Sequence, residues 1–419
     1  MLGNLYDRIA KRGKRDSAPE SAHLGVFVPG GTTLRVLVVE VVDGRSKVWG
    51  WAERRWPGAE ADKQGRVEIC QDLLAEAEDM ALTRADRRLM PDKMLVGVPA
   101  SQLWGRSWSL EHGRSRPERP IDERELKALL GRALRLVVNR LWDTLPGDRQ
   151  QSEEDWVLLE SVPVALTIDG RGVTDPVGFR AQVMGATVFA SLCRVDWVAA
   201  WQAVARQLEF STLWLKPMPL ALACAAHSSQ GLMIDVGGAA TDLTWWRNGR
   251  PLAVGSFPLG GESLSQALAL KWRLTSDQAE RLKRAYAKGR LDEQGRAQVQ
   301  EVVYPVLRAW FDDIEATLVR LEEVGGESLP SKIYLLGGSS VLPEIVQSLG
   351  ALAWSERLQF ARYPEVQAMR PTDVPGVMNL TDRGKGAGDV PALALAALAG
   401  PQVRRADRPA RLLTELCSE

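Results

Sequence analysis

Leu232-Met233-Ile234-Asp235-Val236-Gly237-Gly238-Ala239-Ala240-Thr241-Asp242-Leu243 decides the fold of this 419-residue chain. An apolar run ends in Asp, two glycines follow, and Thr-Asp leads into a second apolar run, Leu243-Thr244-Trp245-Trp246. The pattern is two strands joined by a tight turn that carries no bulky side chain. Glycines there let backbone N–H groups come close to an anion, and the Thr241 hydroxyl offers a further donor. Asp235, at a strand end, is placed to orient a nucleophilic or a metal-bound water. Taken alone, the segment reads equally as a plain hairpin with an acid at its corner or as a phosphate cradle.

Working outward, the same layout recurs near the start of the chain. Gly25-Val26-Phe27-Val28 runs into Pro29-Gly30-Gly31-Thr32-Thr33 and then into the apolar run Leu34 to Val41, with a third strand reaching Trp51. Gly30, Gly31, Thr32 and Thr33 give this turn the same glycine-and-hydroxyl character. A helix follows over 67–90, then a short buried strand, Lys93 to Val98. The second half repeats the order. After the Asp235 hairpin come a third strand, Pro251 to Pro258, the turn Leu259-Gly260-Gly261-Glu262-Ser263, a helix, a charged helix from Ser276 to Lys288, and helices over 292–323. Ser331 to Leu336 is then a strand running into Gly337-Gly338-Ser339-Ser340, with a helix starting near Pro343. Val390 to Gly400 is a compact Ala/Leu helix. Between the halves, a helix of about 20 residues from Ile121 and three strand-like runs (Trp156 to Val164, Leu166 to Ile168, Gln182 to Leu192) form a small insertion.

Composition narrows the function. Lys+Arg and Asp+Glu both total 53, so the chain has zero net charge and lacks the basic footprint of a nucleic-acid binder. Four scattered cysteines, with no Cys-x-x-Cys pair, point to neither a zinc site nor a disulfide framework and fit a reducing cytoplasm. No apolar run is long enough to span a membrane, and the N-terminus lacks the apolar core of a secretory signal. Residues 1–15 place Leu2, Leu5, Tyr6 and Ile9 at helical spacing among Arg8, Lys11, Arg12, Lys14 and Arg15. That is a short basic amphipathic segment suited to an anionic membrane surface, or to docking on protein.

Three Gly-rich turns at strand ends, 29–33, 235–242 and 337–340, resemble the two phosphate loops and the adenosine loop of the actin/sugar kinase/heat-shock chaperone superfamily. Asp235-x-Gly237-Gly238-x-x-Thr241-Asp242 is similar to the second phosphate loop, and Gly337-Gly338-Ser339-x-x-x-Pro343 to the adenosine loop. Glu280 and Lys283 lie on the stretch that resembles the helix reaching the ribose or base. Gly260 and Gly261 complete the candidate binding set. Within the superfamily the chain most resembles FtsA, the bacterial division actin that tethers FtsZ to the membrane. Val164-x-x-x-Ile168-Asp169-Gly170 followed by Asp175-Pro176-Val177-Gly178-Phe179 is similar to the signature of FtsA's inserted subdomain. The pilus protein PilM shares the insertion and the loops.

The resemblance implies an α/β, actin-like (ribonuclease-H-like) two-domain ATPase fold with an FtsA/PilM-type inserted subdomain. The expected units are a basic N-terminal segment and linker over 1–23, domain I over 24–103 and 193–228, and the insertion over 104–192. Domain II follows over 229–400, with a helical subdomain over about 262–330, and a tail over 401–419. The resemblance further implies ATP with Mg²⁺, the latter held through water by Asp235. The implied role is self-assembly and action as a membrane-proximal adaptor, on the cytoplasmic face of the cell membrane, to an FtsZ-like or other division protein. The alternatives are a PilM-like pilus-assembly role and a nucleotide-free scaffold. Two departures qualify this. The first phosphate loop of the family reads Asp-x-Gly-[Ser/Thr], whereas Val28 stands at the Asp position here, leaving Asp235 as the acid at the phosphates and at most a slow ATPase. The tail, Arg411 to Cys417, is a poor membrane helix, which would leave residues 1–15 as the membrane contact. A sugar-kinase reading lacks a catalytic Asp beside a sugar pocket.

Overall fold

The computed structural model describes residues 21–56, 63–145, 153–325, 328–351, 357–403 and 407–418. The amphipathic segment 1–15 therefore lies outside the described residues.

The first half opens with an antiparallel meander: β1 (Ser21–Pro29), β2 (Thr33–Val42) and β3 (Arg45–Arg55). β1 begins at Ser21, so residues 21–23 belong to the sheet and not to a linker. Helix α1 (Lys63–Ala85) lies against β3, where Gly50 admits it: a Cβ at Gly50 would run into the Ala77 carbonyl. β4 (Lys93–Val98) then pairs parallel with β1. The insertion follows as β5 (Leu103–Gly113), α2 (Glu123–Asp143), β6 (Trp156–Ile168), β7 (Arg171–Val173) and β8 (Val183–Arg194). Asp122 caps α2 by accepting from the Glu125 N–H at 2.8 Å. The two runs expected around Val164 are one strand, because a register shift between Pro163 and Ala165 absorbs the missing proline N–H without breaking β6.

The chain returns through α3 (Val195–Gln207), β9 (Thr212–Pro217), which pairs parallel with β4, and α4 (Met218–Ala225). The second half then repeats the first. β10 (Gln230–Val236), β11 (Thr241–Arg247) and β12 (Arg250–Phe257) form an antiparallel meander. Helices α5 (Gly261–Trp272) and α6 (Ser276–Ala287) follow, the latter opened by a Thr275/Gln278 capping box. α7 (Glu293–Gly325) is a single helix that runs on through Pro305. The bond that proline forfeits is outweighed by a buried stripe including Val299, Val303, Leu307, Trp310 and Ile314. β13 (Lys332–Leu336) pairs parallel with β10; α8 (Pro343–Gly350) and β14 (Glu365–Ala368) follow, the latter parallel with β13.

Each half thus holds a five-stranded sheet of the same order, β3-β2-β1-β4-β9 and β12-β11-β10-β13-β14. That shared 3-2-1-4-5 order is the actin-like two-domain architecture expected from the sequence. Two attachments differ from the expected boundaries. The insertion strands continue domain II's sheet past β12, in the order β5-β8-β6-β7, through the pair Ala253–Arg106 and the Ser107 Oγ bond to the Pro251 carbonyl at 2.8 Å. The end of the expected domain II instead returns to domain I. β15 (Val377–Asn379) pairs with β3, and α9 (Val390–Val403) packs its buried Leu393, Leu395 and Ala396 into the core that holds Leu24, Val26, Leu37 and Val39.

The tail is also structured. Helix α10 (Arg408–Ser418) places Leu412 and Leu413, both fully buried, into the insertion's core with Leu126, Leu130 and Val137. Arg408 and Arg411 reach Glu123 and Arg408 reaches Asp175, holding the helix on the insertion's rim. The expected 401–419 tail is therefore split: residues 401–403 end α9, and 408–418 are part of the inserted subdomain. No helix among the described residues is long and apolar enough to cross a membrane.

Candidate functional site

The two meanders face each other across a cleft of about 1540 Å³, and the three glycine turns converge on it. Its floor is built from strand ends. The β1–β2 hairpin contributes Val28, Gly30, Gly31, Thr32, Thr33 and Arg35; the β10–β11 hairpin contributes Asp235, Gly237, Gly238, Ala239 and Asp242; the turn after β13 contributes Gly337, Gly338 and Ser339. The hairpin tips touch. A Cβ at Gly31 would lie 2.9 Å from the Ala239 nitrogen, and one at Gly238 would collide with the Thr32 hydroxyl. Only glycine permits this approach. Gly337 has φ +96°, a conformation that suits glycine, and a Cβ there would strike the Asp235 carboxylate. Gly338, by contrast, faces open space.

The loops are stitched together by their own backbones. Gly261 N–H donates to the Gly237 carbonyl at 2.9 Å and Glu262 N–H to the Gly238 carbonyl at 2.8 Å. Ser339 N–H donates to the Val236 carbonyl at 3.1 Å, and Gly337 N–H to the Ala387 carbonyl at 3.1 Å. Gly260 and Gly261 therefore brace the second hairpin from behind instead of lining the cleft. A Cβ at Gly260 would lie 2.8 Å from the Gly237 carbonyl oxygen and nearer still to that of Gly238. Lys283 is buried and donates to the Gly261 carbonyl at 2.7 Å while pairing with Glu280, also at 2.7 Å. Ser265 Oγ and Arg284 add bonds to Glu280. Burial alone would raise the Glu280 pKa, but these donors outweigh it and hold the carboxyl below its usual range. Glu280 and Lys283 both border the cleft, tied to the start of α5 and not paired on an open surface.

Thr241 does not take the role expected of it. Strand alternation turns its side chain into the core, where Oγ1 donates to the Leu259 carbonyl at 2.7 Å and accepts from Trp310 Nε1 at 2.8 Å. The next residue faces the cleft instead. Asp242 accepts from Ser256 Oγ at 2.6 Å and from the Ala100 N–H at 3.2 Å. Asp235 is thus not the lone acid of the floor. Burial first, then the neighbouring Asp242 charge, pushes Asp235 up to about 7 against a downward pull from Arg35. Burial likewise pushes Asp242 up to about 6, opposed by its bonds to Ser256 and Ala100. Asp242 stood inside the quoted motif, but the sequence alone does not say which face of β11 looks inward.

Arg35, Glu53 and Asp389 also border the cleft, and reasoning from sequence passed over them. Arg35 Nε donates to Asp389 at 3.1 Å and lies 3.2 Å from Glu53. Asp389 ends the 386–389 turn, which packs on Gly338: a Cβ at Gly388 would sit 3.1 Å from the Gly338 Cα. Arg35 therefore joins the first hairpin to the third glycine turn. The donor chemistry does not fit a divalent metal held as the fold family implies. The first hairpin offers Val28 and a cation where an acid is required, and among the described residues no group of three or more His, Cys, Asp or Glu is arranged to hold a metal ion.

No family model matches the chain. It is 24% identical over 214 residues to the cell division protein FtsA of Bacillus subtilis (strain 168), covering 45% of this chain and 48% of that protein. It therefore spans about half the length of that relative. It is 23% identical over 332 residues to the FtsA of Agrobacterium fabrum, covering 72% of this chain and 71% of that protein. Among solved structures, a chain of the PilM-PilN type IV pilus biogenesis complex superposes with a TM-score of 0.61 at 17% identity, covering 93% of this chain and 100% of that one. The repeated 3-2-1-4-5 sheets agree with that superposition. The chain is an actin-fold protein, similar in sequence to FtsA and in structure to a component of the PilM-PilN complex.

Proposed function

We propose that the chain is a nucleotide-responsive assembly adaptor of the FtsA type, which binds ATP in the cleft and self-associates. The observation that carries this reading is the meeting of two glycine hairpins and a third glycine turn on one cleft floor. Gly30, Gly31, Thr32, Gly237 and Gly238 would surround the phosphates. Gly338, facing open space, and Ser339 would border the nucleoside, with Glu280 and Lys283 at its edge. Oriented backbone dipoles suit an anion at such turns. ATP would act by holding the two domains together and not by rapid turnover. Asp235 would position water beside the terminal phosphate, and its raised pKa suits proton transfer near neutrality. With no acid at Val28, hydrolysis would be slow.

The FtsA likeness favours a division role, with an FtsZ-like or other division component as partner and residues 1–15 as the contact with the inner face of the cell membrane. The superposition on a PilM-PilN chain supports a pilus-assembly role as the second reading. Sedimentation of the full chain with and without ATP, alone and mixed with an FtsZ-like protein or a PilN-type peptide, tests both. ATP-dependent pelleting with co-recruitment of the first partner supports the division role, and co-recruitment of the second supports the pilus role. Identical sedimentation with and without nucleotide would leave a scaffold that does not use its cleft.

A further inference from the structure

The two hairpins share one register, and comparing them position by position exposes a charge exchange. In the first, Pro29 pairs with Leu34 and Val28 with Arg35; in the second, Val236 pairs with Thr241 and Asp235 with Asp242. Both turns enclose four residues, 30–33 and 237–240. Val28 therefore occupies the place of Asp235, and Arg35 the place of Asp242. All four border the same cleft. The second hairpin brings two carboxylates to the floor; the first brings an apolar side chain and a guanidinium.

Arg35 is held ready there. Its Nε is engaged by Asp389 and Glu53, which orient the side chain along the floor. Among the described residues no hydrogen bond engages its two Nη groups, the fork that grips a phosphate in bidentate fashion. The guanidinium is partly buried, with 19% of its side chain exposed. Its charge pulls the Asp235 pKa down, against the rise from burial and Asp242. Glu53, 42% exposed and on the outer side, is the acid a phosphate would displace; Asp389, at 17%, would remain as the anchor.

We propose that Arg35 supplies the positive charge at the phosphates, so that this cleft takes a nucleoside polyphosphate without a divalent cation. The inference rests on the nucleotide reading above, and its test separates the two. Affinity of the full chain for a fluorescent ATP analogue is measured with Mg²⁺ and with EDTA, for the wild type, Arg35→Ala, Arg35→Lys and Val28→Asp, with circular dichroism to confirm folding. Wild-type affinity is expected to be the same in both buffers. Arg35→Ala should weaken binding by about tenfold or more, the factor one charge-assisted bond commands, and Arg35→Lys should recover part of it. Val28→Asp should weaken binding in EDTA and restore it with Mg²⁺. Binding by the wild type that vanishes in EDTA overturns the proposal while leaving the nucleotide reading intact, as does full affinity in Arg35→Ala. Absence of binding in both buffers overturns the nucleotide reading itself and this proposal with it. If Arg35→Ala does not fold, Arg35→Gln in EDTA decides: a loss of about tenfold or more supports the proposal, and affinity equal to wild type overturns it.

Discussion

Replacing Asp235 with Asn should stabilise the nucleotide-free protein, and the gain should grow with pH. In the folded state the carboxyl titrates at about 7 against an ordinary value of 3.8, because burial and the Asp242 charge disfavour its ionised form. A folded-state pKa above the unfolded one means that the native state binds more protons through this interval. The group's stabilising contribution is complete below about pH 4 and lost as pH rises through about 7. At about 1.4 kcal/mol per pH unit, and with water in an open cleft easing the penalty, the ionised carboxylate costs about 2–4 kcal/mol at pH 8. Other carboxylates in the chain give stability an opposite slope in acid, so the informative quantity is the difference between variant and wild type. Thermal unfolding over pH 4 to 8 should show Asp235→Asn melting close to wild type at pH 4, pulling ahead steadily as pH rises, and standing several degrees above it at pH 8. Equal melting temperatures throughout, or a variant that falls further behind as pH rises, would refute the strained acid pair.

Three further substitutions probe separate parts of the account. Thr241→Val removes the hydroxyl between the Leu259 carbonyl and Trp310 Nε1. It should cost about 1–3 kcal/mol in denaturant unfolding with nucleotide affinity unchanged, whereas a selective loss of affinity would return Thr241 to the phosphates. Gly260→Ala forces a methyl against the Gly237 and Gly238 carbonyls. It should displace the second hairpin, destabilising by about 1–3 kcal/mol and weakening nucleotide binding, which calorimetry and a binding titration would read together. Leu413→Ala empties a fully buried site in the insertion's core. It should cost about 2–5 kcal/mol and raise amide exchange in α2 and α10 while leaving the cleft loops protected; an unchanged exchange pattern would mean that α10 is not docked.

The turns carried most of what the sequence disclosed. Gly-Gly pairs at strand ends are local signals, and they placed both meanders, the β13 turn and the cleft floor. Strand β9 was harder to see, because six residues between two helices offer little periodicity. β14 and β15 are short edge strands whose pairing is set by distant partners. The return of α9 to domain I and the docking of α10 are non-local in the same way: Leu412 and Leu413 form too narrow a stripe to name their own partner. The exchange of Thr241 for Asp242 turned on strand facing, which a period of two leaves undetermined until one side is known to be covered. Arg35 did leave a trace, for Val28 to Arg35 and Asp235 to Asp242 are both spaced by seven. That trace becomes readable only once the two hairpin registers are known.

The central claim is that the meeting of the two hairpins forms a nucleotide site. Equilibrium titration of the full chain with a fluorescent ATP analogue, with unlabelled ATP as competitor and Gly238→Val as the blocked control, tests it most directly. A valine at this position would drive its side chain into Thr32 and across the contact between the hairpin tips. The account predicts saturable binding in the wild type, displacement by ATP, and loss in a Gly238→Val protein whose circular dichroism is unchanged. Absence of saturable binding, or equal binding by the folded Gly238→Val protein, would contradict it.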